Sequence, residues 1–314
     1  MRTVIEEILA HGDPISPSKG PANELRGVLI EITEPRARLS RTESRGKIFS
    51  ALGELCWYLA RTNDVRFIEY YIPTYVESAD GNKVFGGYGP RLFAWRGINQ
   101  VENITAILRR KPHSRQAVVQ LFEANDILED HNDVPCTCTL QFMNRQDRLH
   151  LFVNMRSNDV HWGLPHDVFC FTMLQEILAK SLSIELGTYK HAVGSLHLYT
   201  RHFGAAKRFL KEGWQPTRAV MPPMPIGDPW PAIESVLQAE AAIRGSALFD
   251  ESRLTHLDAY WADLIRLLEV FRSRKDKDLD KISAVRGKIS SSVYLPYIDR
   301  VIRQLIVSKP VLGE

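Results

Sequence analysis

The chain has 314 residues, 44% of them hydrophobic and 25% charged, with a formal net charge of +3 at pH 7. That length allows one large core or two modest domains, and so small a charge, with no long basic run, argues against a nucleic-acid-binding surface. No stretch approaches the roughly 20 apolar residues of a membrane span, Met1–Gly12 holds no leader-like apolar core, and the four cysteines do not make a disulfide framework, so the sequence reads as a cytoplasmic protein.

Gly12–Gly20 is rich in Pro and Ser and reads as an irregular lead-in. Arg26–Ile32 has the pattern of a buried strand ended by Pro35, with Arg26 at its start. Ser44–Thr62 spaces Ile48, Leu52, Leu55, Cys56 and Leu59 along one helical face. Within that run sits Glu54, and a lone buried charge costs several kcal/mol, so it is functional or paired unless it faces water between its apolar neighbours. Lys83–Gly97, with four glycines and Pro90, reads as a loop carrying Tyr88. Ile98–Arg110 follows as a helix and Arg115–Leu121 as a strand.

Thr139–Gln146 and Leu149–Arg156 alternate apolar and polar residues and predict a hairpin with Asp147 in its turn. Apolar residues at helical spacing then run through Leu164–Leu186. This central stretch orders a set of short motifs: Pro135-Cys136, Gln141-Phe142, Arg156-Ser157-Asn158-Asp159, Gly163-Leu164-Pro165-His166-Asp167, and Gly194-Ser195-Leu196-His197-Leu198-Tyr199. Gly213–Pro231 is proline-rich and loop-like. Three helical stretches, Trp230–Ile243, Arg253–Phe271 and Ser290–Val307, close the chain, with charged Arg272–Lys281 between the last two. Cys136 and Cys138 lack a second Cys/His pair at zinc-site spacing, so no metal is expected.

The ordered motifs resemble the thymidylate synthase superfamily: a Pro-Cys nucleophile, then Gln-Phe, Arg-Ser-x-Asp, Gly-Leu-Pro-x-Asn and Gly-Asp-x-His-x-Tyr. Two positions depart, with Asp167 in place of asparagine and Ser195 in place of aspartate. Gly53-Glu54-Leu55-Cys56-Trp57-Tyr58-Leu59 is similar to the family's Glu-Leu-Leu-Trp-Phe-Leu helix, and Tyr88-Gly89 to its Tyr-Gly loop, although Arg91-Leu92-Phe93 stand where the family has Gln-Trp-Arg. Ser114-Arg115-Gln116 is similar to Ser-Arg-Arg. The family's usual carboxyl-terminal ending is absent, so the likeness covers roughly two thirds of the chain.

The resemblance implies an α+β fold, a mostly antiparallel mixed sheet flanked by helices, with a catalytic core over 1–225 and a helical region over 226–314 on the same domain. It implies Cys136 as nucleophile, with Glu54, Asp167 and Tyr88 catalytic, and Arg26, Arg115, Arg156 and Ser157 on the substrate phosphate. His197 and Tyr199 would hold the sugar hydroxyl and Asp159 the folate. Surface or packing roles stand beside these for Arg26, Tyr88, His197 and Tyr199. The family's homodimer would donate Arg115 across the interface. The co-substrate would be 5,10-methylenetetrahydrofolate.

Asp167 bears on the base. A carboxylate accepts from the cytosine amine, and a proton shared with ring nitrogen 3 completes the pair; capping of the helix that starts here is the other reading. The aspartate resembles the cytosine-selective hydroxymethylase branch, in which water replaces the final hydride. The sequence therefore leads us to expect a hydroxymethyltransferase of cytidine monophosphates, deoxycytidylate before cytidylate. Methylation of deoxyuridylate is the alternative within the class, and an inactive nucleotide- or RNA-binding relative the alternative outside it.

Overall fold

The computed structural model describes residues 1–40, 47–213, 219–246 and 251–307. In chain order the elements are α1 (Arg2–His11), β1 (Asp13–Ile15), β2 (Ala22–Ile32), α2 (Ile48–Leu59), α3 (Val65–Tyr71), α4 (Tyr88–Phe93), α5 (Gln100–Arg110), β3 (Val118–Gln120), β4 (Thr137–Arg145), β5 (Arg148–Asp159), α6 (Gly163–Ser181), β6 (Glu185–Tyr199), α7 (Phe203–Lys211), α8 (Trp230–Arg244), α9 (Ala259–Lys275), α10 (Leu279–Arg286) and α11 (Leu295–Val307). Six strands form one sheet in the order β1-β2-β6-β5-β4-β3. Only β5 and β6 run parallel; the other neighbours are antiparallel. This is the expected α+β architecture.

The β4–β5 hairpin turns on Gln146 and Asp147, both at φ 54, with Arg145 paired to Arg148 on either side. Two successive left-handed residues match the twist of paired strands, which is why so tight a turn sets the register. A parallel neighbour needs a crossover, and α6 supplies it between β5 and β6. The helix stops at Ser181, short of the expected Leu186, because Ser183 takes a left-handed φ of 56 and β6 begins at Glu185. Inside the fold, Gln175 of α6 donates to the carbonyls of Leu149 and Thr188, tying the helix to both parallel strands.

α6 packs on β5 and β6, α2 packs on α6, and α8 and α9 pack on α2. With helices on both sides, α2 buries every residue but Ser50. That layering, rather than a single apolar stripe, puts Glu54 inside. The helix predicted from Ser44 has its first residues outside those described.

Other expectations need correction. The strand predicted as buried from Arg26 begins at Ala22 and leaves one face open, with Leu29 58% exposed. The segment read as a loop over 83–97 contains α4. Gly89 makes that helix possible, since a Cβ there would stand 2.6 Å from the Thr62 carbonyl oxygen. The charged stretch 272–281 runs into α10, capped by Asp278 accepting from the Lys281 amide and anchored by buried Ile282 and Val285. Among the described residues no helix is long and apolar enough to cross a membrane.

Candidate active site

The carboxyl ends of β5 and β6, the residues entering β4, the first turns of α6 and the inner face of α2 converge on one cleft of about 970 Å³. It is lined by Glu54, Tyr88, Cys136, Arg156, Ser157, Asp159, Asp167, His197 and Tyr199. These residues span more than 140 positions of sequence and meet because the parallel β5–β6 pair brings Ser157 beside Ser195 and Asp159 beside His197.

Cys136 lies one residue before β4, half-buried. Its backbone is fixed by the Arg156 amide, which donates to its carbonyl at 2.9 Å. The Arg156 guanidinium donates to the carbonyls of Pro135 and Val134 and reaches the thiol sulfur at 3.8 Å. Burial pushes the thiol up to about 11; the Arg156 charge opposes this, while Asp133 and Asp167 add to it. The free site therefore holds a protonated thiol at neutral pH, and attack must be coupled to loss of that proton.

Glu54 is 4% exposed, and its Oε1 accepts from the hydroxyls of Tyr58 at 2.9 Å and Tyr75 at 2.6 Å. Burial and then the Glu54 charge push both phenols well above their ordinary range, so both remain donors. Tyr88 is also buried, and its hydroxyl accepts from the amide and the hydroxyl of Thr137, next to Cys136. Asp167, in the second turn of α6, is pushed well above the carboxylate range by burial first and by Glu54 second, against a hydrogen bond from Asn158. That direction favours the protonated acid. Asp159 accepts from the His161 amide at 2.8 Å, and the His197 and Tyr199 rings meet edge to face at 4.9 Å.

Two predicted residues are not brought to this cleft. Arg26 is exposed on β2 and ion-paired with Asp13 at 2.8 Å, outside the cleft lining although its register partner Ser195 belongs to it. Arg115 is exposed beside the edge strand β3, where its carbonyl accepts from Gln141. Sequence reasoning missed Lys19, Asp133, Trp162, Arg201 and His202, which also line the cleft. Arg201 and His202 stand two and three residues past the His-x-Tyr block, a signal that adjacency could have supplied. Lys19 sits in the irregular lead-in and carries no such signal. At the rim, Trp162 Nε1 donates to His202 at 2.8 Å and the Lys47 ammonium lies 3.2 Å from the Trp162 ring centroid. Among the described residues no group of three or more His, Cys, Asp or Glu is placed to hold a metal ion.

The thymidylate synthase family model matches residues 38–228. The deoxyuridylate hydroxymethyltransferase of Bacillus phage SP01 is 30% identical over 217 residues, covering 64% of this chain and 57% of the relative. The deoxyuridylate hydroxymethyltransferase of Delftia phage PhiW-14 is 29% identical over 195 residues, covering 57% of this chain and 54% of the relative. The chain thus spans little more than half the length of these relatives.

Proposed function

The chain belongs to the thymidylate synthase family, and on that premise we propose that it transfers a one-carbon unit to carbon 5 of a pyrimidine nucleoside monophosphate and adds water to give the 5-hydroxymethyl product. The observation that carries the reading is the convergence of Cys136, Arg156, Glu54 and Asp167 in one cleft. Methylenetetrahydrofolate would supply the one-carbon unit when bound. The cleft is at the upper end of the size of a small-molecule site, and exposed Trp162 beside Asp159 fits a flat heterocycle at its rim.

Cys136 adds to carbon 6 of the ring, a role suited to a soft sulfur nucleophile. Arg156 serves twice, aligning the thiol loop through two carbonyls and offering charge to the phosphate with Ser157, Lys19 and Arg201 close by. Arg115 would complete the phosphate site of a second subunit. Glu54, pinned through one oxygen by two phenols, has no partner for Oε2 among the described residues. It would hold the water that adds to the exocyclic methylene.

For the base we favour cytosine, which a protonated Asp167 matches by donating to ring nitrogen 3 and accepting from the amine when its proton lies on the oxygen facing that nitrogen. Protonating that nitrogen also draws electron density from carbon 6, where the thiol attacks. The relatives' names favour a second reading, deoxyuridylate as substrate, and they support the deoxy sugar in either case. The test is the ratio of kcat/KM for dCMP and dUMP in the parent and in Asp167→Asn. We expect the parent to prefer dCMP, and the asparagine to move the ratio toward dUMP by roughly tenfold to a hundredfold, one mispaired buried contact being worth about 1–3 kcal/mol. A parent that prefers dUMP would establish the second reading. An unchanged ratio would show that Asp167 does not face the base.

A further inference from the structure

Asp167 is the front of a longer chain of buried polar groups. Behind it, Asn158 Nδ2 donates to Asp167 Oδ2 at 2.9 Å. The same amide nitrogen has His191 Nε2 at 3.2 Å and Met155 Sδ at 2.8 Å. His191 Nδ1 in turn lies 2.7 Å from the Tyr189 hydroxyl, and both rings are fully buried on β6. Burial pushes the imidazole down to about 4, so it is neutral at pH 7 and presents one bare nitrogen. Because the Asn158 amide nitrogen faces Nε2, that atom is the acceptor, which leaves the ring hydrogen on Nδ1 toward Tyr189.

All three neighbours of Nδ2 are then acceptors, which turns the amide so that its N–H groups face Asp167 and its oxygen faces away. That oxygen, Asn158 Oδ1, is buried without a hydrogen-bond partner among the described residues, an arrangement that costs stability and would relax if the amide were free to turn. Gly163 closes the pair from the helix side: a Cβ there would stand 3.1 Å from Asn158 Oδ1 and 3.4 Å from Asp167 Oδ2.

A neutral carboxyl by itself discriminates poorly. It pairs with cytosine by donating to nitrogen 3 and accepting from the amine. It pairs with uracil by accepting from N3–H and donating to oxygen 4, merely by moving its proton to the other oxygen. An N–H aimed at Oδ2 removes that freedom, since a hydrogen on Oδ2 would confront a donor. The proton is confined to Oδ1, and one base edge matches while the other does not. We propose that Asn158, oriented by His191, is the positioning residue that makes Asp167 selective between the two pyrimidines. The inference rests on the reading that Asp167 faces the base.

The experiment measures kcat/KM and Kd for dCMP and dUMP in the parent, Asn158→Leu, His191→Phe and Asp167→Asn. Asn158→Leu should reduce the parent's selectivity ratio by about tenfold or more, with the disfavoured nucleotide gaining in absolute terms as the favoured one loses. His191→Phe keeps the ring volume, removes the acceptor behind the amide and should shift the ratio the same way. Structural damage alone would lower both nucleotides together and leave the ratio in place. If Asp167→Asn changes the ratio while both other variants keep the parental one, Asn158 does not position the acid and the inference is overturned. If Asp167→Asn also leaves the ratio unchanged, the reading of Asp167 fails and takes the inference with it.

Discussion

Asp133→Asn should stabilise this protein at neutral pH and leave it nearly unchanged in acid. Asp133 lines the cleft just ahead of Cys136, its Oδ2 set against the bare backbone of Gly86, where a Cβ would stand only 2.3 Å away. It forms no hydrogen bond or ion pair among the described residues, and burial pushes its carboxyl up to about 6, against the pull of Lys19, Arg156 and Arg91. The folded chain thus keeps this proton through the range in which the unfolded chain, at its ordinary 3.8, has lost it. Stability therefore falls as pH rises from about 4 to about 6 and stays lower above that, by up to roughly 3 kcal/mol. An asparagine carries no such charge, so urea unfolding should show the variant more stable than the parent by about 1–3 kcal/mol at pH 8 and by little at pH 4. Equal differences at the two pH values would refute the assignment of a half-buried, ionising Asp133.

Three further outcomes follow from the same geometry. Alkylation of Cys136 in the free protein should rise with pH toward a midpoint of about 11 and slow further in Arg156→Met; a midpoint at or below 9 would show that burial does not control the thiol. Cys136→Ala should abolish turnover while nucleotide binding persists, and mixing it with Arg115→Ala subunits should restore one working site per heterodimer, so verified mixed dimers without activity would exclude the shared phosphate site. Arg38→Met should destabilise the fold by about 3–5 kcal/mol in urea unfolding, because it strands Glu176, whose only charged partner among the described residues is the fully buried Arg38 guanidinium at 2.5 Å; a loss below about 1 kcal/mol would show that the pair is dispensable.

What was legible in the sequence follows the range of the interactions involved. The β4–β5 hairpin was readable because alternation and a two-residue turn are local, and α8 was readable from its apolar spacing. α4 was not, since a helix of six residues with two glycines and a proline close by is held by the approach of Gly89 to Thr62 rather than by propensity. α10 was hidden by its charges, because two buried residues in eight give too weak a period to find. The open face of β2 was misjudged for the converse reason: its run of apolar residues reads as burial, but one helical layer covers only one side of the sheet.

The site divides along the same line. Motif residues at the ends of β5 and β6 reach the cleft together because they are consecutive in sequence, whereas Arg26 lies outside its lining, held by Asp13, a local ion pair that no motif reports. Two further residues the sequence did not mark act on a motif residue from another element. Tyr75 reaches Glu54 across 21 positions and His191 reaches Asn158 across 33. Each is an unremarkable aromatic in its own segment and acquires a role only as a donor or acceptor inside a dry layer, where one buried hydrogen decides which partner fits. Such groups act on a motif residue without touching a substrate, so selectivity can differ between chains that share every motif this sequence displays.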